Sequence, residues 1–268
     1  MWAKTIHAND GQDKAMIGRV EGKVALVTGG AMGIGLASAR LLADEGAYVI
    51  IADLANDAGS AAAAALGGEA RFVRLDVTGE VDWARAIAFT EAEFGRLDIL
   101  INNAGIVIPG TIEQTTLDSL RRHLAVHVEG TFLGCSHALP VMVRGGGGAI
   151  VNLGSIAALT GQAPFFAYSA AKGAIRAMSR SIAAHCQQAG NKVRCNTVFP
   201  GGIETPMIQA LVGRAAEAIP GGVLAADALG APQDVAAAVL YLAGDESRFL
   251  TGAEIVVDNG ATALARWP

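Results

Sequence analysis

The chain has 268 residues, 20 basic against 25 acidic side chains, a net charge of −5, and 52% hydrophobic but only 17% charged residues. That composition excludes disorder for most of its length, and the acidic balance without a polybasic run argues against nucleic acid as a partner. Mean hydropathy is positive at +0.39, yet every apolar stretch is interrupted well short of the ~18 residues that span a bilayer, so no membrane association is expected.

Residues 1–18 are polar, mixed in charge and aperiodic, and read as an N-terminal arm with no apolar signal-peptide core. From Lys23 onward, apolar strand-like runs alternate with helix-like segments. Val24–Val27 leads through a glycine-rich turn into an apolar helix that Gly46 ends. Tyr48–Ala52, an alanine-rich helix and Arg71–Leu75 come next. A helix over Val81–Phe94 stops at Gly95, and Leu97–Ile101 is the fourth strand. After a long helical region come Ile150–Leu153, a helix around Ala167–Gln187, and strands at Val193–Val198 and Glu254–Val257. Seven strands interleaved with helices predict an α/β chain. The expected fold is a single-domain Rossmann-type doubly wound parallel sheet over residues 19–268, with helices on both faces. The stretch 206–231 is Gly/Ala-rich and poorly periodic, and its place beyond a late strand marks it as a substrate lid.

Cys135, Cys186 and Cys195 are scattered, with no CxxC pair, which reads as buried free thiols in the cytoplasm. His123 and His127 stand at i and i+4 of one expected helix. With no HExxH pattern and no carboxylate partner around them, no metal is expected.

The first strand runs into Thr28-Gly29-Gly30-Ala31-Met32-Gly33-Ile34-Gly35. A strict GxGxxG does not fit this register, but TGxxxGxG does, and the physics is shared. Gly29 permits a tight exit from the strand, Gly33 lets backbone approach a pyrophosphate, and Gly35 lets the helix pack close. Asp53 ends the second strand, where a carboxylate can bond both ribose hydroxyls of an adenosine and repel a 2′-phosphate. No Arg or Lys lies in the turn or directly after Asp53, so the expected cofactor is NAD rather than NADP.

Tyr168 and Lys172 stand at i and i+4 on one helical face. A phenol near pKa 10 is too weak a base at neutral pH, and a neighbouring ammonium favours its phenolate. Such a tyrosine can exchange a proton with an alcohol or ketone oxygen. Ser155, thirteen residues upstream and just past a strand, can hold that oxygen near the phenol. It lies in Leu153-Gly154-Ser155-Ile156-Ala157, which lacks the second glycine of a GxSxG elbow, so a serine hydrolase is rejected.

With these motifs in order, residues 19–263 resemble the short-chain dehydrogenase/reductase family. The matching pieces are Thr28–Gly35, Asp53, Asp76-Val77, Asn102-Asn103-Ala104-Gly105, Ser155 with Tyr168 and Lys172, and Pro200-Gly201-Gly202-Ile203-Glu204-Thr205. The resemblance implies a cofactor cleft formed by Gly29, Met32, Gly33, Ile34, Asp53, Leu54, Asp76, Val77, Asn103, Ala104 and Gly105 from the first half. Tyr168, Lys172, Pro200, Gly201, Ile203 and Thr205 complete it. Lys172 would hold the nicotinamide ribose and lower the Tyr168 pKa, and the chain would form a homotetramer through the helices around 115–143 and 167–187.

One position departs from the family. Its usual V-N-L-x-G reads Val126-His127-Val128-Glu129-Gly130 here, so His127 replaces the relay asparagine. A carbonyl survives any substitution, so activity is expected to persist, with His127 either filling space or itself shuttling protons.

Within the family, Ala184–Met207 resembles bacterial hydroxysteroid and alicyclic alcohol dehydrogenases. The candidate pocket of Ser155, Ile156, Ala157, Phe165, Gly202, Met207 and Ile208 is mostly apolar. The expected activity is therefore NAD-dependent interconversion of a secondary alcohol and a ketone, on an apolar ring-bearing small molecule. The alternatives are a 3-oxoacyl carrier-protein reductase and a non-catalytic NAD-binding scaffold or redox sensor.

Overall fold

The computed structural model describes residues 18–215 and 229–263. Most of the expected N-terminal arm, residues 1–17, and the middle of the expected lid, residues 216–228, lie outside them. Seven strands form one wholly parallel sheet: β1 Val24–Thr28, β2 Tyr48–Asp53, β3 Arg71–Arg74, β4 Ile99–Asn102, β5 Gly148–Leu153, β6 Val193–Pro200 and β7 Glu254–Val257. Their spatial order is β3-β2-β1-β4-β5-β6-β7.

Strands buried on both faces need helices on both faces. In β1 all five residues are buried, and alternate side chains go to opposite cores. Val24 and Leu26 join Trp83 and Ala86 of α3 (Glu80–Phe94), Met142 of α5 (Gly130–Arg144) and Ala183 of α6 (Phe166–Ala189). Ala25 and Val27 join Leu42 of α1 (Gly33–Asp44), Ala63 of α2 (Asn56–Leu66) and Val239 of α8 (Pro232–Ala243). The chain winds outward from β1 through β2 to β3, then returns to place β4 on the other side of β1. Where the winding reverses, the carboxyl ends of β1 and β4 open a crevice, and that is where a doubly wound sheet takes its ligand.

Two local features differ from expectation. Pro206–Ala215 at the start of the supposed aperiodic lid is a regular helix, α7. The preceding Thr205 explains it: its hydroxyl accepts the Ile208 amide at 3.3 Å, a cap that composition alone hides. The long helical region is also not uniform. α4 (Leu117–His123) passes through a π-helical segment, Leu124–Glu129, before α5 begins. Among the described residues no helix is long and apolar enough to cross a membrane.

Candidate active site

The crevice floor is laced together by side chains from both strands that open it. Thr28 Oγ1 accepts the amides of Asn103 at 3.0 Å and Ala104 at 3.1 Å, and donates to the Ile101 carbonyl. Asn103 Nδ2 donates back to the carbonyls of Thr28 at 2.9 Å and Gly29 at 3.1 Å. Asn103 therefore braces the glycine turn, and Thr28 is a site residue whose bracing role the sequence reading left unassigned. Gly29 has φ +62°, and a Cβ there would stand 2.9 Å from Ala104 Cα, so the turn tolerates no side chain. No side chain caps α1 at Met32 and no acidic residue sits in its first turn, which leaves the helix's leading amides for an anion.

Asp53 leans across this turn, its carboxylate accepting the amides of Ala31 and Ala55, each at 3.1 Å. Leu54 beside it is exposed and Ile34 is partly buried. Asp76 Oδ1 accepts the Thr78 amide and hydroxyl, while the Val77 side chain is buried and its carbonyl takes the Trp83 indole N–H at 3.0 Å. Across the crevice, Gly201 donates to the Val257 carbonyl at the end of β6–β7. Ile203 bridges to Gly230, and a Cβ on Gly33 would touch Thr205 Cγ2 at 3.3 Å. Two strand ends, a bare helix start and a carboxylate at the far side fit a dinucleotide.

Ser155, Tyr168 and Lys172 meet at the carboxyl end of β5. Ser155 begins a short 3-10 turn, Ile156–Ala158, and its Oγ accepts the Ala157 amide at 3.2 Å. Tyr168 sits in the first turn of α6 and Lys172 one turn on. Lys172 is buried, its Nζ donating to the Leu153 carbonyl at 2.7 Å and standing 5.6 Å from the Tyr168 ring centre. Burial pushes the Tyr168 phenol up to about 12, against a smaller downward pull from the Ser155 hydroxyl. Burial likewise pushes Lys172 down to about 7. The fall in the tyrosine pKa expected from Lys172 is thus not seen in the protein alone: burial raises the phenol, and the one opposing pull comes from Ser155. Lys172 Nζ spends a hydrogen bond on the Leu153 carbonyl, and desolvation of the phenol dominates.

The expected pocket residues separate into two groups. Ile156 and Gly202 are partly exposed, Ile208 is half-buried, and Met207 is exposed on α7. Ala157 and Phe165 are buried, and Phe165 pairs with Gly110 in an isolated bridge. They support the wall from behind. A separate depression of about 740 Å³ lies at the opposite, amino-terminal end of the sheet, lined by residues including Lys23, Arg96, Lys192 and Arg248. It contains none of these site residues.

His123 and His127 are both buried behind Tyr168, their ring centres 6.4 and 5.4 Å from the tyrosine ring. The two imidazoles stack at 6.0 Å rather than converge on a point, and no metal-holding cluster occurs among the described residues. Burial, then the charge of Lys172, holds His127 well below the usual histidine pKa. A group kept neutral in this way is a poor proton shuttle.

A family model described as enoyl-(acyl carrier protein) reductase matches residues 29–262. The chain belongs to the short-chain dehydrogenase/reductase family. Among curated members of this family, it is 41% identical to an NADP-dependent (R)-specific alcohol dehydrogenase of Lentilactobacillus kefiri, with 92% of this chain and 100% of that one covered. It is 38% identical to a 3-beta-hydroxysteroid dehydrogenase of Comamonas testosteroni, covering 93% and 99%. A crystal structure described as a short-chain dehydrogenase/reductase from Burkholderia xenovorans superposes with a TM-score of 0.84 at 37% identity, over 93% of this chain and all of that one.

A short-chain dehydrogenase/reductase that buries Lys172 this deeply stores a folding penalty. The unfolded lysine keeps its proton up to about 10.4, the ordinary value for its side chain, whereas the folded one gives it up near 7. Between those values the unfolded chain binds more protons, so this group's contribution to stability rises with pH. Lys172→Met is accordingly expected to melt above the parent at pH 7, with the gap narrowing toward the ordinary lysine value, in calorimetric scans at matched rates. A gap that widened with pH would reverse the assignment.

Proposed function

We propose that the protein is an NAD-preferring oxidoreductase that interconverts a secondary alcohol and its ketone, on an apolar cyclic or steroid-like substrate. The observation that carries this reading is the meeting of Tyr168 and Ser155 at the carboxyl end of β5, with Lys172 buried one helical turn behind. A bound nicotinamide supplies the hydride chemistry. Gly29, Met32, Gly33 and the leading amides of α1 would receive its pyrophosphate, and Asp53 its adenosine ribose. Lys172 would hold the nicotinamide ribose, with Pro200, Gly201, Ile203 and Thr205 along the other wall.

The protein's own part is positioning and proton exchange. Ser155 Oγ accepts the Ala157 amide and still has one hydrogen to donate, which it would offer to the substrate oxygen. The Tyr168 hydroxyl gives a proton to the oxygen of a ketone being reduced, or takes one from an alcohol being oxidised. Ile156, Ile208 and Met207 provide an apolar wall that a ring fills more readily than a charged acid does. The preference for NAD rests on Asp53 and on Arg74. That arginine lies opposite Asp53 in the sheet but turns to Asp82, at 3.4 Å.

The family model's description favours one second reading, reduction of an acyl group carried on a thioester. NADH formation at mildly alkaline pH with hydroxysteroids, cycloalkanols and terpene alcohols tests the first. NADPH oxidation with crotonyl and acetoacetyl thioesters tests the second, the former for an enoyl group and the latter for a 3-oxo group. Turnover confined to one class of ring alcohol supports the proposal, and turnover confined to a thioester replaces it.

A further inference from the structure

We propose that His123 and His127 are positioning residues: a stacked imidazole pair that fixes the Gly105–Ile108 segment of the crevice wall against Tyr168. The inference rests on the dehydrogenase reading and extends it to two buried residues packed behind Tyr168.

The segment leaves β4 through Ala104 and runs along the crevice. His127 Nε2 lies 2.8 Å from the Ile106 carbonyl and 3.2 Å from its amide nitrogen. Two residues on, the Ile108 amide donates to His123 Nε2 at 3.2 Å, while His123 Nδ1 donates to the Ser119 carbonyl at 2.8 Å. One helix therefore grips alternate residues of the wall. The π-helical turn beginning at Leu124 lies between and around these two rings. Such inserted turns recur at functional sites. Both rings then meet Tyr168 edge-on, at interplanar angles of 72° and 79°. Gly105 completes the fit, since a Cβ there would stand 2.6 Å from His127 Cε1.

The two histidines are not equally satisfied. His123 uses Nδ1 as donor and Nε2 as acceptor, which a single neutral tautomer provides. His127 presents one ring nitrogen to both a carbonyl and an amide, and one atom cannot donate and accept at once. The shorter contact assigns the proton to Nε2, donating to the Ile106 carbonyl. That leaves Nδ1 buried with no partner and the Ile106 amide facing an N–H. The opposite tautomer leaves Nδ1–H and the Ile106 carbonyl unpaired instead. A carboxamide has a separate donor and acceptor, so the site as folded suits one better than it suits an imidazole.

Three variants test this with melting, NADH titration by fluorescence, and the pH–rate profile on the best alcohol. His127→Leu and His123→Phe keep bulk but release the wall, and a misplacement of this kind costs kcat about 100-fold. His127→Gln, whose amide reaches as far as Nε2, with His127→Asn as the shorter control, should restore most of kcat. The better of the two should melt about 2–4 °C above the parent, with the pH profile unmoved. Parent-like kcat in both His127→Leu and His123→Phe would overturn the positioning role. A pH profile displaced in the carboxamide variants would overturn it in favour of a titrating shuttle. Neither carboxamide melting above the parent would remove the claim of an unsatisfied ring. Should the parent be silent on every alcohol, the dehydrogenase reading fails, while the melting and NADH-binding comparisons still decide the clamp.

Discussion

Tyr168→Phe is expected to lower kcat by about 10²–10⁴-fold, the usual worth of a positioned general acid–base group, and to leave NADH binding intact. The substitution removes one oxygen and keeps the ring. The edge contact to His127 at 5.4 Å and the ammonium of Lys172 at 5.6 Å are both made to that ring, so the site keeps its shape. Ser155 does not replace the lost group, because an aliphatic hydroxyl is a far weaker acid than a phenol. The direction of reaction adds a second signature. With the phenol pushed up to about 12, Tyr168 is protonated at neutral pH and ready to act as an acid. Ketone reduction should therefore hold its rate at neutral pH, whereas alcohol oxidation should climb as pH rises and more phenolate forms. Stopped-flow turnover alongside NADH fluorescence checks both. A Phe variant that binds NADH and turns over like the parent would leave a scaffold or sensor role, or another proton donor.

How much of this was legible in the sequence depends on the range over which each feature is determined. The alternation of apolar runs with helices exposed the doubly wound sheet, because strands such as Ile99–Asn102, buried throughout, must be apolar at every position. Asp53, Ser155, Tyr168 and Lys172 were readable because strand ends and a one-turn helical spacing place them without knowledge of distant contacts. The bracing by Thr28 and Asn103 was not, since it joins residues 75 apart. The π-helical turn was hidden as well. A hydrophobic period cannot reveal one inserted residue, and the turn shows itself only where His123 and His127 reach the wall after β4. The same limit applies to the Tyr168 pKa. A lysine four residues on is visible in sequence, but the burial that raises the phenol belongs to the folded site.

Cofactor choice carries the other large effect. Asp53→Ala should move the ratio of kcat/KM for NADP over NAD by about 100-fold, the equivalent of ~2.7 kcal/mol, because facing a 2′-phosphate with a carboxylate costs several kcal/mol. The gain should exceed what neutralisation alone provides. Arg74 lies directly opposite Asp53 in the β2–β3 register and is held away only by a 3.4 Å contact to Asp82. With the carboxylate gone, that half-exposed guanidinium can swing to the phosphate. Adding Arg74→Ala to Asp53→Ala should therefore return part of the gain, a coupling that a double-mutant cycle reads directly. Asp53→Ala also strips the Ala31 and Ala55 amides of their acceptor, so some loss of NAD affinity accompanies the switch. Asp53→Asn separates the two effects, because an amide oxygen keeps an acceptor in place without the charge. The 41% identical alcohol dehydrogenase of Lentilactobacillus kefiri is NADP-dependent, which makes the parent's own ratio the most informative value. A parent that used NADP as well as NAD would show that Asp53 does not set the preference, and Arg74 would already be serving the phosphate.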